Sequence, residues 1–394
     1  MQQLMNFFII TATLLSVLYF ILIIYYRFAY ASVPIINQTT NQLNNQSTSL
    51  TVIIPARNEA KNIEACLQSI LQNNYPTTLL QIIVVDDHSE DETAAIVQKF
   101  TAQNVVLLSL KDFVTSPLNS YKKKAIEIAI SKASGELIIT TDADCIVTPT
   151  WLQTIESFYK ETNAKFIAAP VVINASNKFI EIFQAVDFMT LQGITAAVVH
   201  KKQMTMCNGA NMAYTKAAFD EVGGFTGIDN IASGDDMLLM HKIYTQYPNA
   251  VHFLNAQNAI VQTAAVSNLK QFMQQRIRWA SKADKYDDKR ILPVLVLVYA
   301  FNVMMFIFPI IAIFNNYAFS ILNTQYSILT FWLWMLFLKI VVEMIFLFPV
   351  AKFFGLKKIL WVFPFLQPFH IIYTIVAGWL SKFGKYTWKE RVVS

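Results

Sequence analysis

From Phe7 to Tyr26 the chain carries no charged side chain, and this run is as long as a bilayer-spanning helix requires. Two more apolar runs lie near the other end, roughly 292–314 and 327–350, the second interrupted by Lys339 and Glu343. A fourth stretch, roughly 359–380, contains Pro364, Gln367, Pro368 and His370, and leaves both a full crossing and a re-entrant path open. Lipid offers no partners to backbone N–H and C=O groups, so such runs are expected to be helices. With 394 residues there is also room for one large soluble domain. Hydrophobic residues make up 55% and charged ones 14%, too apolar for a soluble domain alone.

Charge sets the expected orientation. Arg27 follows the first run and no basic residue precedes it, the pattern of a retained anchor, although Ala29-Tyr30-Ala31 resembles a cleavage site. That polarity places the domain after it in the cytosol. Lys352, Lys357 and Lys358 place the loop before the fourth stretch on the same side, and the basic tail (Lys382, Lys385, Lys389, Arg391) prefers it too. The charges therefore favour a bent or re-entrant 359–380. Expected is a multi-pass protein of the cytoplasmic (inner) membrane, with the lipid bilayer as a partner. The net charge of +5 is accounted for by membrane orientation and calls for no nucleic acid. Cys66, Cys145 and Cys207 have no metal-site spacing and read as reduced structural thiols.

The organisation expected is an anchor at 1–30, a polar linker at 31–48, an α/β domain at 49–290 ending in an interfacial helix, apolar helices at 291–381 and a basic tail at 382–394. Within the domain, β-rich runs at 50–55, 81–85, 105–108 and 137–140 alternate with helical patterns at 59–71, 91–100 and 122–133. This order predicts a largely parallel, Rossmann-like sheet with helices on both faces. Further helices are expected at 179–199, 235–243 and 267–283. Ligands of such sheets bind beyond the carboxyl ends of the strands. Asp86-Asp87 and Asp142-Ala143-Asp144 each follow a strand directly, so both acidic pairs are expected to face one crevice.

Those residue types suit a diphosphate leaving group. Its concentrated charge calls for a hard divalent cation with oxygen ligands, a role that fits Asp142 and Asp144 with Mg²⁺ or Mn²⁺. A carboxylate at Asp86 or Asp87 can accept hydrogen bonds from a base or ribose. Pro55-Ala56-Arg57-Asn58-Glu59 sits at the neighbouring strand end as a pocket wall, with Asn58 equally suited to cap the next helix. Lys122 and Lys123 offer charge to phosphates, or simply a solvated helix start. Gly234-Asp235-Asp236 supplies a candidate general base, Asp236, and equally a pair of acids favourable to a helix N-terminus. Gln275, Arg278 and Trp279 share one helix face: Trp can stack on a sugar ring and Arg or Gln can bind phosphate, while an interfacial anchor uses the same residues. Lys339 and Glu343, four apart, read as an ion pair or as the lining of a path for acceptor.

Taken in order, Asp86-Asp87, Asp142-x-Asp144, Gly-Asp235-Asp236 and Gln275-Arg276-Ile277-Arg278-Trp279 resemble the family-2 inverting glycosyltransferases of GT-A fold, in particular the membrane-embedded poly-N-acetylglucosamine, hyaluronan and cellulose synthases. The resemblance covers about 48–290. It implies nucleotide-sugar binding at Glu59, Asp86, Asp87, Lys122 and Asp142, and metal at Asp142 and Asp144. It implies the base at Asp236, and acceptor or diphosphate contacts at Asp235, Gln275, Arg278 and Trp279. Asn208-Gly209-Ala210-Asn211 looks like that family's acceptor-side loop. The sequence departs at Tyr121, where relatives often carry Gly. The implied partners are a nucleotide-diphosphate sugar donor and a glycan or lipid-linked acceptor, for polysaccharide or cell-envelope synthesis. Its apolar portion is small for a synthase that threads its own polymer. Single-sugar transfer to a lipid acceptor therefore stays open, as does a catalytically silent partner that only binds nucleotide sugar.

Overall fold

The computed structural model describes residues 2–36, 47–116, 118–231, 234–281, 287–314, 318–321, 324–383, 386–388 and 391–393. Most of the polar linker, positions 282–283 of the expected interfacial helix, and Lys385 and Lys389 of the basic tail lie outside the described residues. In chain order the main elements are α1 (Gln2–Ala31), β1 (Leu50–Ala56), α2 (Ile63–Leu71), β2 (Leu80–Asp86), α3 (Thr93–Gln98), β3 (Val105–Ser109), α4 (Tyr121–Lys132) and β4 (Leu137–Thr140). There follow α5 (Trp151–Thr162), β5 (Phe166–Ala168), β6 (Val171–Asn174), α6 (Phe179–His200), β7 (Met212–Thr215), α7 (Lys216–Glu221), α8 (Met237–Gln246), β8 (Val251–Phe253) and β9 (Val261–Ala264). The chain continues with α9 (Leu269–Ala280), α10 (Ile291–Phe314), α11 (Ile328–Phe353) and α12 (Phe363–Phe383). The elements group into two compact units, a sheet unit and a unit of apolar helices.

In the sheet unit seven strands run in the order β3-β2-β1-β4-β7-β5-β8. β1 is parallel to β2 and β4, β2 to β3, and β5 to β8, while β7 runs antiparallel to both its neighbours. The expected largely parallel α/β sheet is therefore present, as a mixed sheet with one reversed strand. Its inner strands are apolar on both faces, as burial between helix layers demands: Val52, Ile53, Ile54, Ile83, Val84, Val85, Leu137, Ile138 and Ile139 are all shielded from solvent. The chain leaves β1 towards β2 and β3 on one side, and β4 lies on the other. The order thus reverses at β1, the position at which sheets of this kind bind ligands beyond the strand ends. Helix α6 is long and apolar enough to cross a membrane but is mostly buried and packs on β6 and β8, so its apolarity fills a core.

The helical unit contains the other four helices of that length and apolarity found among the described residues. α1 packs on α10 and α11, α10 on α11 and α12, and α9 on α12. Helix α12 is one unbroken element of 21 residues, about 31 Å at 1.5 Å per residue. Pro364 falls in its first turn, where an N–H has no intrahelical acceptor anyway. Of the stretch expected at 359–380, the residues up to Val362 belong to a 3-10 helix (Lys357–Val362) and the rest to this continuous helix, together long and apolar enough to cross a membrane.

Polar groups inside this unit are joined to one another. Lys339, fully buried, donates to Glu343 Oε1 at 2.6 Å and to Gln367 Oε1 at 2.6 Å, and Gln367 Nε2 donates to Glu343 Oε2 at 2.7 Å. The Tyr19 hydroxyl donates to Glu343 Oε1, and its ring stacks on Phe301 with centroids 4.3 Å apart. The i,i+4 pair expected from the sequence therefore forms, within a network that also ties in α1 and α12.

Candidate active site

Two loops meet beyond β1 and β2. Asp86 ends β2, and Asp87 follows with its N–H on the Ala56 carbonyl at 2.7 Å, which extends the β1–β2 pairing past the strand end. Both aspartates are buried. Arg57 Nη1 donates to the carbonyls of Asp87 and His88 at 3.0 and 3.2 Å, holding a left-handed turn at His88 (φ 56°). Asn58, itself at φ 51°, donates its N–H to Ser89 Oγ and accepts the Glu90 N–H on its side chain. Asn58 thus ties the two loops together. The capping role the sequence also allowed does not occur, because α2 starts only at Ile63. Glu59 Oε2 accepts from Asn62 Nδ2 at 2.8 Å at the rim of this loop.

Asp142 and Asp144 occupy the turn after β4, both part-exposed. The turn is pinned from outside: Ile146 forms a two-way bridge with Gln262, and Thr263 Oγ1 donates to Asp144 Oδ2 at 3.4 Å. Lys122, in the first turn of α4, reaches Asp142 Oδ1 at 2.9 Å and Asp235 Oδ2 at 3.1 Å. Burial alone would lower the Lys122 pKa, but the Asp142 and Asp235 carboxylates outweigh it and hold the ammonium above the ordinary lysine value. The neighbouring lysine differs. Lys123 is buried and donates to the Ile228 and Ile231 carbonyls at 2.5 and 2.8 Å, so it fixes a loop and does not face phosphate. Tyr121 packs edge-on against the His88 ring at 5.7 Å, which links the α4 start to the β2 loop.

The reversed strand β7 completes the group. Because Met212 pairs with Thr140, the residues before β7 arrive at the edge that β4 leaves. Gly209 is the consequence: Thr140 Oγ1 donates to its carbonyl at 3.2 Å. A Cβ on Gly209 would lie 3.3 Å from Lys122 Nζ. Asn211, fully buried, accepts from Trp151 Nε1 and donates to the Pro170 and Ala259 carbonyls, so its part in this loop is structural. Asp236 stands at the N-cap of α8 and accepts the Met237 N–H at 2.7 Å. The dipole-favouring position read from the sequence is therefore real, and α8 begins one residue beyond it.

The structure thus gathers Asp142, Lys122, Asp235, Asp236 and Gly209 at one strand edge, beside the loop holding Asp86 and Asp87. Gln275, Arg278 and Trp279 lie on α9, in the helical unit, all part-exposed. Sequence reading missed Arg276 between them, buried with its guanidinium 4.2 Å from the Trp279 ring centroid and 4.8 Å from that of Phe272. It also missed Asp288, whose Oδ2 accepts from the N–H and hydroxyl of Thr205, just ahead of the Gly209 loop. No short-range spacing signals either one.

As to a cation, no cluster of three or more His, Cys, Asp or Glu side chains forms a cage among the described residues. The donors near the β4 turn are oxygens. Burial, reinforced by Asp142 and Asp144, pushes the Cys66 and Cys145 thiols up. Asp142 and Asp144 are part-exposed carboxylates, the donor type that suits a hard divalent ion taking its remaining ligands from phosphate and water.

Residues 51–223 match the sequence model described as glycosyl transferase family 2. The probable glycosyltransferase YdaM of Bacillus subtilis (strain 168) is 27% identical over 238 residues, 59% of this chain and 54% of its own. The 4,4'-diaponeurosporenoate glycosyltransferase of Staphylococcus aureus (strain N315) is 30% identical over 159 residues, 39% of this chain and 40% of its own. The chain therefore spans about half or less of the length of these curated relatives. The mannosyltransferase PcManGT of Pyrobaculum calidifontis, solved in complex with GDP-Man and Mn²⁺, superimposes with a TM-score of 0.55 at 16% identity, over 95% of this chain and 98% of its own, which shows a common fold. Over residues 51–223 the chain is thus similar to glycosyl transferase family 2, on a GT-A-type mixed α/β sheet.

Proposed function

We propose that the protein is a membrane-bound, inverting, metal-dependent glycosyltransferase that moves a sugar from a nucleotide-diphosphate donor to a growing glycan or lipid-linked acceptor. The observation that carries this reading is the meeting of Asp142, Lys122, Asp235 and Asp236 at one strand edge, where charge for a diphosphate stands beside a candidate base. Asp86 and Asp87 are assigned the nucleotide, with Glu59 at the rim. Asp142 and Asp144 would hold Mg²⁺ or Mn²⁺, which when bound supplies positive charge to the departing diphosphate. Asp236 takes the proton from the attacking acceptor hydroxyl as the sugar C1–O(phosphate) bond breaks and the new C1–O bond forms. Its hydrogen bond to the α8 N-terminus fixes the carboxylate's direction before substrate arrives. The motif side chains Gln275, Arg278 and Trp279 are assigned to acceptor and diphosphate. The four apolar helices that pack together suit a multi-pass protein of the cytoplasmic membrane with its sheet unit cytosolic.

A second reading, addition of a single sugar to a lipid acceptor, is favoured by the size of the helical unit, four long apolar helices among the described residues. The test is nucleoside diphosphate release by purified protein in lipid nanodiscs, with a panel of nucleotide sugars, Mg²⁺ or Mn²⁺, and membrane lipid extract present or absent. Metal-dependent release that disappears in Asp236→Asn supports the transferase, and dependence on the extract identifies a lipid acceptor. Nucleotide binding without release from any donor would leave only the silent-partner reading.

A further inference from the structure

The Lys122 ammonium is shared between carboxylates of two different loops, Asp142 at 2.9 Å and Asp235 at 3.1 Å. One belongs to the pair assigned to the cation, the other adjoins the assigned base. Lys122 is about one-fifth exposed and Asp142 about two-fifths, so this ion pair is accessible to solvent. Two carboxylates bridged by one ammonium repel each other once it leaves, unless another cation replaces it. Asp142, which accepts Lys122, is also one of the two carboxylates that would hold the metal. A lysine suits such an exchange: its charge is compact, its stem flexible, and its three donors rotate freely. Gly209, with no side chain, leaves the ammonium room. Lys123 is unavailable for the task because it serves the Ile228 and Ile231 carbonyls.

Building on the transferase reading, we infer that Lys122 is a resident stand-in for the divalent cation. In the ligand-free protein it neutralises Asp142 and Asp235 and opposes metal binding. When metal and diphosphate arrive together, the ammonium passes from Asp142 to a phosphate oxygen, and Asp235 loses part of its counter-charge beside Asp236. Cation and nucleotide therefore load as a unit, and the metal alone binds poorly. No covalent bond changes in this step.

The test is Mn²⁺ binding to the full-length protein in nanodiscs, followed by the electron paramagnetic resonance signal of free Mn²⁺, without nucleotide and with UDP or GDP. Lys122→Met and Lys122→Gln should bind Mn²⁺ about fivefold more tightly than wild type without nucleotide, the scale of one part-exposed ion pair. The same variants should lose most of the gain in Mn²⁺ affinity that the diphosphate gives wild type. Lys122→Arg, which keeps the charge, should stay near wild type without nucleotide, and matched thermal unfolding would confirm that the variants are folded. If wild type shows diphosphate-enhanced Mn²⁺ binding while Lys122→Met and Lys122→Gln leave nucleotide-free affinity unchanged, the stand-in role is overturned and the transferase reading survives. Absence of Mn²⁺ binding in every protein with either nucleotide would overturn the metal assignment and this inference with it.

Discussion

Gly209 packs against Asp235 so closely that a Cβ at its position would lie 3.2 Å from Asp235 Oδ2. That separation is tighter than ordinary van der Waals contact, so even one methyl group obliges the carboxylate or the loop to yield by a few tenths of an ångström. Gly209→Ala is expected to lower transfer about tenfold with nucleotide affinity retained, since small displacements of reacting groups are costly. Gly209→Val should be inactive. Steady-state kinetics beside nucleotide binding checks this, and a fully active Gly209→Val would refute it.

The cap that Asp236 forms and the base role proposed for it can be separated by substitution. Asn caps helices about as well as Asp, so Asp236→Asn should leave the unfolding midpoint nearly unchanged while transfer drops by roughly 10²-fold or more. Asp236→Ala should lose transfer and also about 1 kcal/mol of stability through the missing cap. Asp236→Asn retaining a third of wild-type turnover would remove the residue from the chemistry.

Lys122 and Lys123 are adjacent yet should fail differently. Lys123→Met strands the buried Ile228 carbonyl and the part-buried Ile231 carbonyl and is expected to cost about 2 kcal/mol or more of stability. Denaturant titration of the two single variants should show the larger loss at Lys123.

The Lys122 pKa is raised in the folded protein, so its stabilising contribution is fully present below the unfolded lysine value of about 10.4 and fades only as pH rises through the higher folded value. The difference in unfolding midpoint between wild type and Lys122→Met, measured without metal, should therefore be flat from about pH 6 to pH 9. A difference that falls steeply within that window would contradict the pairing.

Much of the sheet could be read in advance because its strands are short apolar runs, each closed by acidic or turn-forming residues. The two acidic pairs were legible for the same reason: topology places strand ends together whatever the side chains do. What escaped depends on contacts between distant segments. The expected start of α2 fell four residues early, because Asn58, Glu59 and Ala60 bond to Ser89, Thr93 and Asp91 across the crevice in place of a helical turn. The reversal of β7 leaves no mark on its four residues, yet it alone brings Gly209 to the β4 edge. Neighbouring lysines on a helix point about 100° apart, and only the burial of Lys123 shows which of them faces the crevice.

In the helical unit, Lys339→Met removes the fully buried partner of a buried pair and is expected to cost about 3 kcal/mol or more, seen as a lower melting temperature in detergent. The double variant Lys339→Met with Glu343→Leu should recover much of that loss, because it strands no buried charge. A double variant as unstable as the single one would show that packing, not charge, is responsible.

The hydroxyl of Tyr19 gives α1 an identity that hydropathy conceals. Ranked by apolarity alone, residues 2–31 look interchangeable with any membrane anchor of similar length. Their hydrogen bond to Glu343 and stacking on Phe301 make them a keyed part. A chimera bearing a generic leucine-rich anchor would keep the tether and lose the key, so anchors should transplant between related chains only together with the helices that read them.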